Sequence, residues 1–147
     1  MAHVDATERR SVRGLADQAN PMFAAGAVLV PLGALVAVLL VGDIRLLNYV
    51  HVMIGGLWTG IDLFMGLVIG PVMAGLDPEA RAAFFQRFTP KLTFLMPVLS
   101  LTTIVAGITL ARRLGYFQNA DPWLALLTAV ITIPAVLLIA VPFDRLT

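Results

Sequence analysis

The stretch from Leu46 to Met73, LLNYVHVMIGGLWTGIDLFMGLVIGPVM, constrains this chain more than any other. It is long and apolar enough to cross a bilayer, because about 20 residues at 1.5 Å per residue span the hydrocarbon core. It also carries His51, Trp58 and Asp62. An ionisable side chain near the middle of a span costs about 3 kcal/mol on translocon scales, so each such residue calls for a partner or a function.

The rest of the chain agrees with a membrane setting. Of its 147 residues, 59% are hydrophobic and 13% charged, about half the charged share of an ordinary soluble domain. A net charge of +1 gives no footing for nucleic acid, and with no cysteine the chain has no disulfide, iron–sulfur cluster or thiolate zinc site. A metal or haem would have to use His, Met, carboxylate or Lys.

Hydropathy and punctuation predict an all-α fold, an integral membrane bundle of four transmembrane helices. Residues 1–20 read as a polar, uncleaved cytoplasmic tail holding Arg9, Arg10, Arg13 and His3. Residues 21–147 form the transmembrane domain, with spans at about 22–41, 46–73, 92–111 and 123–141. The first begins after Asn20-Pro21 and holds Pro31; Gly42-Asp43-Ile44-Arg45 is so short that the first two spans must be antiparallel neighbours. Asp77-Pro78-Glu79 signals a helix start. A short interfacial helix is therefore expected between spans two and three, with Phe84 and Phe88 on one side.

Basic residues near the span ends set the orientation. Arg9, Arg10, Arg13, Arg81, Arg87, Lys91 and Arg145 fall on one face, and Arg45, Arg112 and Arg113 on the other. The positive-inside rule then puts both termini in the cytoplasm. The second span runs from outside to inside, with His51 about a turn below the outer surface and Asp62 near the midplane.

At 100° per residue His51 and Asp62 project about 20° apart, but about 16 Å of rise keeps them from bonding to each other. Gly55 and Trp58 belong to the same stripe. Gly56 and Gly60, then Gly66 and Gly70, make GxxxG pairs that let a helix or a flat cofactor approach the backbone. In the third span Met96, Ser100, Thr103 and Gly107 share one face, which suits close helix packing or the wall of a cofactor pocket.

Several readings stand for each polar residue. His51 can be a satisfied interfacial residue, an axial ligand of b-type haem, or a proton-relay or quinol-binding group. With His3 the only other histidine, a second axial ligand would come from another copy or another subunit, or the iron would be five-coordinate. Asp62 can pair with a hydroxyl such as Thr103, serve proton or ion passage, or meet a basic residue of another chain.

His51, Trp58, Gly60, Phe64 and Pro71, then FFQRF, Met96-Pro97, Thr102 or Thr103 and Gly107, resemble the small membrane protoporphyrinogen oxidases of bacteria; the H-x6-W-x-G core is also similar to copper-resistance D-type membrane proteins. The resemblance covers about residues 46–125. It implies a helical bundle of the bacterial inner membrane, with His51 as the ligand of haem b, Trp58 and Gly60 in its pocket, a haem- or quinone-linked role, and an activity of oxidoreductase type; Gly55, on the His51 stripe, would line the same cofactor site. The lysine that the oxidases carry after a Trp-Leu element is absent, since Trp123-Leu124 is followed by Ala125, Leu126 and Leu127. Beside the redox reading stand two others: a non-catalytic subunit of a larger membrane complex, and a proton or ion pathway using Asp62. The expected partners are the lipid bilayer and either further copies of the chain or other membrane subunits.

Overall fold

A computed structural model describes residues 11–118, and every regular element among them is helical. The expected fourth span and the first ten residues of the tail, His3 included, lie outside the described residues. By its contacts the chain divides at Gly107 into two compact units.

In the first unit, α1 (Val12–Ala19) is capped by Ser11, whose Oγ accepts from the Gly14 N–H at 3.1 Å. The described end of the polar tail is thus a helix. Asn20 both ends α1 and begins α2 (Pro21–Val41): its backbone takes φ 76°, and its Oδ1 accepts from the N–H groups of Met22 at 3.0 Å and Phe23 at 3.5 Å. Asparagine tolerates the left-handed region better than most side chains, and Pro21 occupies the helix position where a missing N–H costs least.

One stripe of α2 is buried, made of Ala24, Ala27, Pro31, Leu35 and Val38 at three- and four-residue spacing. Gly42, at φ 78°, closes α2 through its N–H to the Val38 carbonyl at 3.0 Å. Asp43 Oδ1 then caps α3 (Ile44–Phe64), accepting from Arg45 N–H at 2.7 Å and Leu46 N–H at 3.1 Å. As the two-residue connection requires, α2 and α3 pack on one another.

The helix of α3 continues through a π-helical turn, Met65–Ile69, into α4 (Gly70–Ala74), an unbroken run of 31 residues. Pro71 accounts for the widened turn, because its ring would strike the carbonyl one α-turn before it and it has no N–H to offer. The Gly70 N–H reaches back to the Met65 carbonyl instead.

The segment expected as a separate interfacial helix runs without a break into the third span. Together they form α5 (Pro78–Arg113), 36 residues long, begun by Asp77 Oδ1 accepting from Ala80 N–H at 2.8 Å. Pro90 and Pro97 lie inside it, and Pro90 is buried. A proline interior to a helix in an apolar medium bends it rather than ending it, since a break would strand several more backbone groups. Phe84 and Phe88 stack one turn apart, ring centroids 5.0 Å, on the side the spacing predicts. Leu15 and Gln18 of α1 share a shallow groove with Ala82, Phe85, Gln86, Thr89 and Pro90 of α5.

In the second unit, the described residues are the end of α5 and the turn after it. Gly115, at φ 75°, stands just past the helix, with Gly115 N–H to Arg112 O at 3.1 Å and Tyr116 N–H to Ala111 O at 3.0 Å. That pair of bonds is a Schellman cap, and the positive φ is why glycine occupies the position.

Three described helical runs, Pro21–Val41, Ile44–Ala74 and Pro78–Arg113, are long and apolar enough to cross a membrane. Their outward residues agree: Leu29 is 68% exposed, Leu40 82% and Leu67 72%. Water would oppose so much contiguous apolar surface, whereas lipid accepts it. The chain has the build of a helical membrane-associated protein.

Candidate functional site

On α3 the inward stripe begins with Leu47 and Val50, both buried, and continues through half-buried His51, Ile54, Gly55, Trp58 and Ile61. His51 meets α5 there. Its Nδ1 lies 3.0 Å from the backbone oxygen of Thr103. A carbonyl oxygen can only accept, so Nδ1 donates in this bond and Nε2 is the ring nitrogen left outside it.

Steric fit holds this arrangement from both sides. A β-carbon on Gly107 would lie 2.7 Å from Cε1 of His51, 3.1 Å from Nδ1 and 3.4 Å from Nε2, so the imidazole rests where only glycine leaves room. One turn along each helix the roles reverse. A β-carbon on Gly55 would lie 3.1 Å from Cγ2 of Thr103. His51 over Gly107 and Thr103 over Gly55 form an antiparallel pair of side chains seated on glycines, and the hydrogen bond joins the two halves.

Hydroxyl groups gather on α5 beside this contact. Ser100 Oγ donates to the Pro97 carbonyl at 3.0 Å. Thr102 and Thr103 bury their Oγ1 atoms without a hydrogen-bond partner among the described residues. A buried threonine on a helix ordinarily bonds back to a carbonyl of the preceding turn, so the two orphaned Oγ1 atoms are an unmet polar demand beside His51.

The site residues read from the sequence separate here. Gly55 and Trp58 lie on the His51 side of α3. Gly60 does not: nine residues from His51 is half a revolution, and Gly60 is exposed with nothing within 4 Å of a β-carbon built on it. It thus stands on the opposite side of α3 from the contact between His51 and Thr103. Asp62 is exposed, with no side-chain hydrogen bond or ion pair among the described residues. Thr103 turns to His51 and Gly55 instead. Gly107 joins the site as the seat of the imidazole, and its signal is its one-turn spacing from Thr103 opposite the one-turn spacing of His51 and Gly55.

Among the described residues no three His, Asp or Glu side chains gather to hold a bare metal ion. A lone imidazole suits a metal that brings most of its own ligands, as iron in a porphyrin does. Compared with family models, curated proteins and solved structures, the chain matches none. Its functional reading therefore rests on the geometry at His51 and Asp62.

Proposed function

We propose that the chain is a redox-type protein of the bacterial inner membrane that holds b-type haem through Nε2 of His51. The observation that supports this reading is the bond from Nδ1–H to the Thr103 carbonyl. Ligating histidines commonly donate their second ring nitrogen to a carbonyl, which fixes the tautomer, orients the ring and makes the free nitrogen more basic. Bound haem would supply one-electron chemistry. The chain's part is to present Nε2, to hold the ring against Gly107, and to offer the orphaned Thr103 hydroxyl nearby. The same nitrogen would accept the O–H of a quinol. The test is an absorbance spectrum of protein purified from membranes. A Soret band lost in His51→Ala supports haem; no band, and none gained on adding haemin, rejects it.

A second reading, a subunit of a larger membrane complex, is favoured by Asp62, exposed on a membrane-length helix. Native mass spectrometry in mild detergent tests it, and a lone monomer under every condition would remove it.

A further inference from the structure

Asp62 belongs to the run Ile44–Ala74, whose middle residue is Thr59, so the carboxylate lies about 5 Å beyond the centre of the run. At that depth an acid facing hydrocarbon is costly to leave unmatched. Thr59 and Gly66, three residues before and four after, share its side of the helix and are also exposed. Nothing lies within 4 Å of a β-carbon placed on Gly66, so the backbone there is open to close approach.

The π-helical turn that follows shifts the backbone pairing next to Gly66. Gly70 N–H pairs with the Met65 carbonyl, and the next position in that register, opposite the Gly66 carbonyl, is Pro71, which has no N–H. An exposed carboxylate one turn from an exposed glycine suits a closely packed helix that brings a donor with a positive charge. An ammonium or guanidinium supplies both.

This chain offers no such group at that depth among its described residues. Arg45 is 17 positions away on the same helix, about 25 Å. The described part of α2 has no ionisable side chain. From the contact of His51 with Gly107, Asp62 is 11 residues along α3, whereas Lys91 and Arg87 are 16 and 20 residues along α5, about 8 and 14 Å past that depth. Lys91 donates to the Arg87 carbonyl and Arg81 to the Leu76 carbonyl, and Arg112 and Arg113 stand at the other end of α5. A second copy packed about a two-fold axis would set one Asp62 beside another. With no cation for it among the described residues, charge complementarity favours a different polypeptide.

Resting on the subunit reading, we propose that the Thr59, Asp62, Gly66 face of α3 seats a transmembrane helix of another protein that carries a Lys or Arg at mid-membrane depth. The test uses the full chain in phosphatidylcholine vesicles with a fluorescent leucine–alanine transmembrane peptide bearing one central lysine, read by energy transfer from labelled protein. The lysine peptide should associate about three- to tenfold more than its leucine counterpart, and Asp62→Leu should abolish the preference. Circular dichroism of the variant confirms that its helices remain. Equal association of the two peptides, or a preference that survives Asp62→Leu, overturns the proposal. So does self-association of the wild-type chain that Asp62→Leu abolishes, because a second copy would then cover the face. Native mass spectrometry separates this failure from that of the subunit reading: a partner held equally by wild type and Asp62→Leu keeps the subunit and overturns the Asp62 assignment.

Discussion

The imidazole of His51 lies directly on Gly107, its Cε1 2.7 Å from where a β-carbon of that residue would stand. The same ring donates through Nδ1 to the Thr103 carbonyl one turn away on the same helix, at 3.0 Å. One side chain of α3 thus grips α5 by shape and by hydrogen bond, and the grip leaves Nε2 outside the bond.

Gly107→Ala tests the steric half of this grip. The new methyl would enter the ring's space, so the helices must part or the imidazole must turn. Overpacking of this kind costs about 1–3 kcal/mol, offset in part by alanine's better helix propensity of about 1 kcal/mol. Thermal unfolding in detergent should show a lower midpoint. Any haem spectrum should weaken with it, since the ring can no longer keep both its seat and its hydrogen bond.

His51 substitutions separate ligation from packing. His51→Asn retains a side-chain N–H that can reach towards the Thr103 carbonyl, whereas His51→Ala loses that bond and leaves a cavity. Stability should fall in the order wild type, Asn, Ala, with about 1 kcal/mol at stake in the hydrogen bond. A Soret band, in contrast, should vanish in both variants, because neither supplies a nitrogen lone pair for iron. A band that persists in His51→Asn would show that this residue does not ligate haem.

Much of this architecture is legible in the residues. The ends of α2 and α3 follow from Asn20-Pro21, Gly42 and Asp43, since each fills a terminal position that needs its particular chemistry. The continuity of α5 is not legible, because Asp77, Pro90 and Pro97 give the same local signals whether a helix bends or breaks, and only burial of Pro90 decides. At the site, helical projection alone puts His51 and Asp62 on one side of α3. Their different surroundings depend on where α5 crosses, which no periodicity within α3 encodes. Gly60 differs from Gly55 and Trp58 for a related reason: a motif spaced along a chain does not say which side of the helix each member takes.

Asn20 carries two helices, and its replacements should rank by which of its duties they lose. Glycine adopts φ 76° freely but has no oxygen to cap Met22 and Phe23. Alanine loses the cap and strains the backbone as well. Asn20→Gly should cost a few tenths of a kcal/mol, and Asn20→Ala about 1–2 kcal/mol. Hydrogen exchange of the α1 amides should accelerate more in the alanine variant than in the glycine variant.

Gly42 and Gly33 give a contrast in which sterics are removed. Neither has an atom within 4 Å of a built β-carbon, so alanine meets no neighbour at either place. Gly33 lies inside α2 with ordinary helical geometry, and alanine there should stabilise the helix by up to about 1 kcal/mol. Gly42 holds φ 78°, where a β-carbon is strained against the chain's own backbone, so alanine should destabilise by about 1–2 kcal/mol. The two substitutions add the same methyl group to the same helix and its cap, yet their unfolding midpoints should move in opposite directions. Midpoints that moved together would mean that the turn between α2 and α3 does not rest on the left-handed conformation of Gly42.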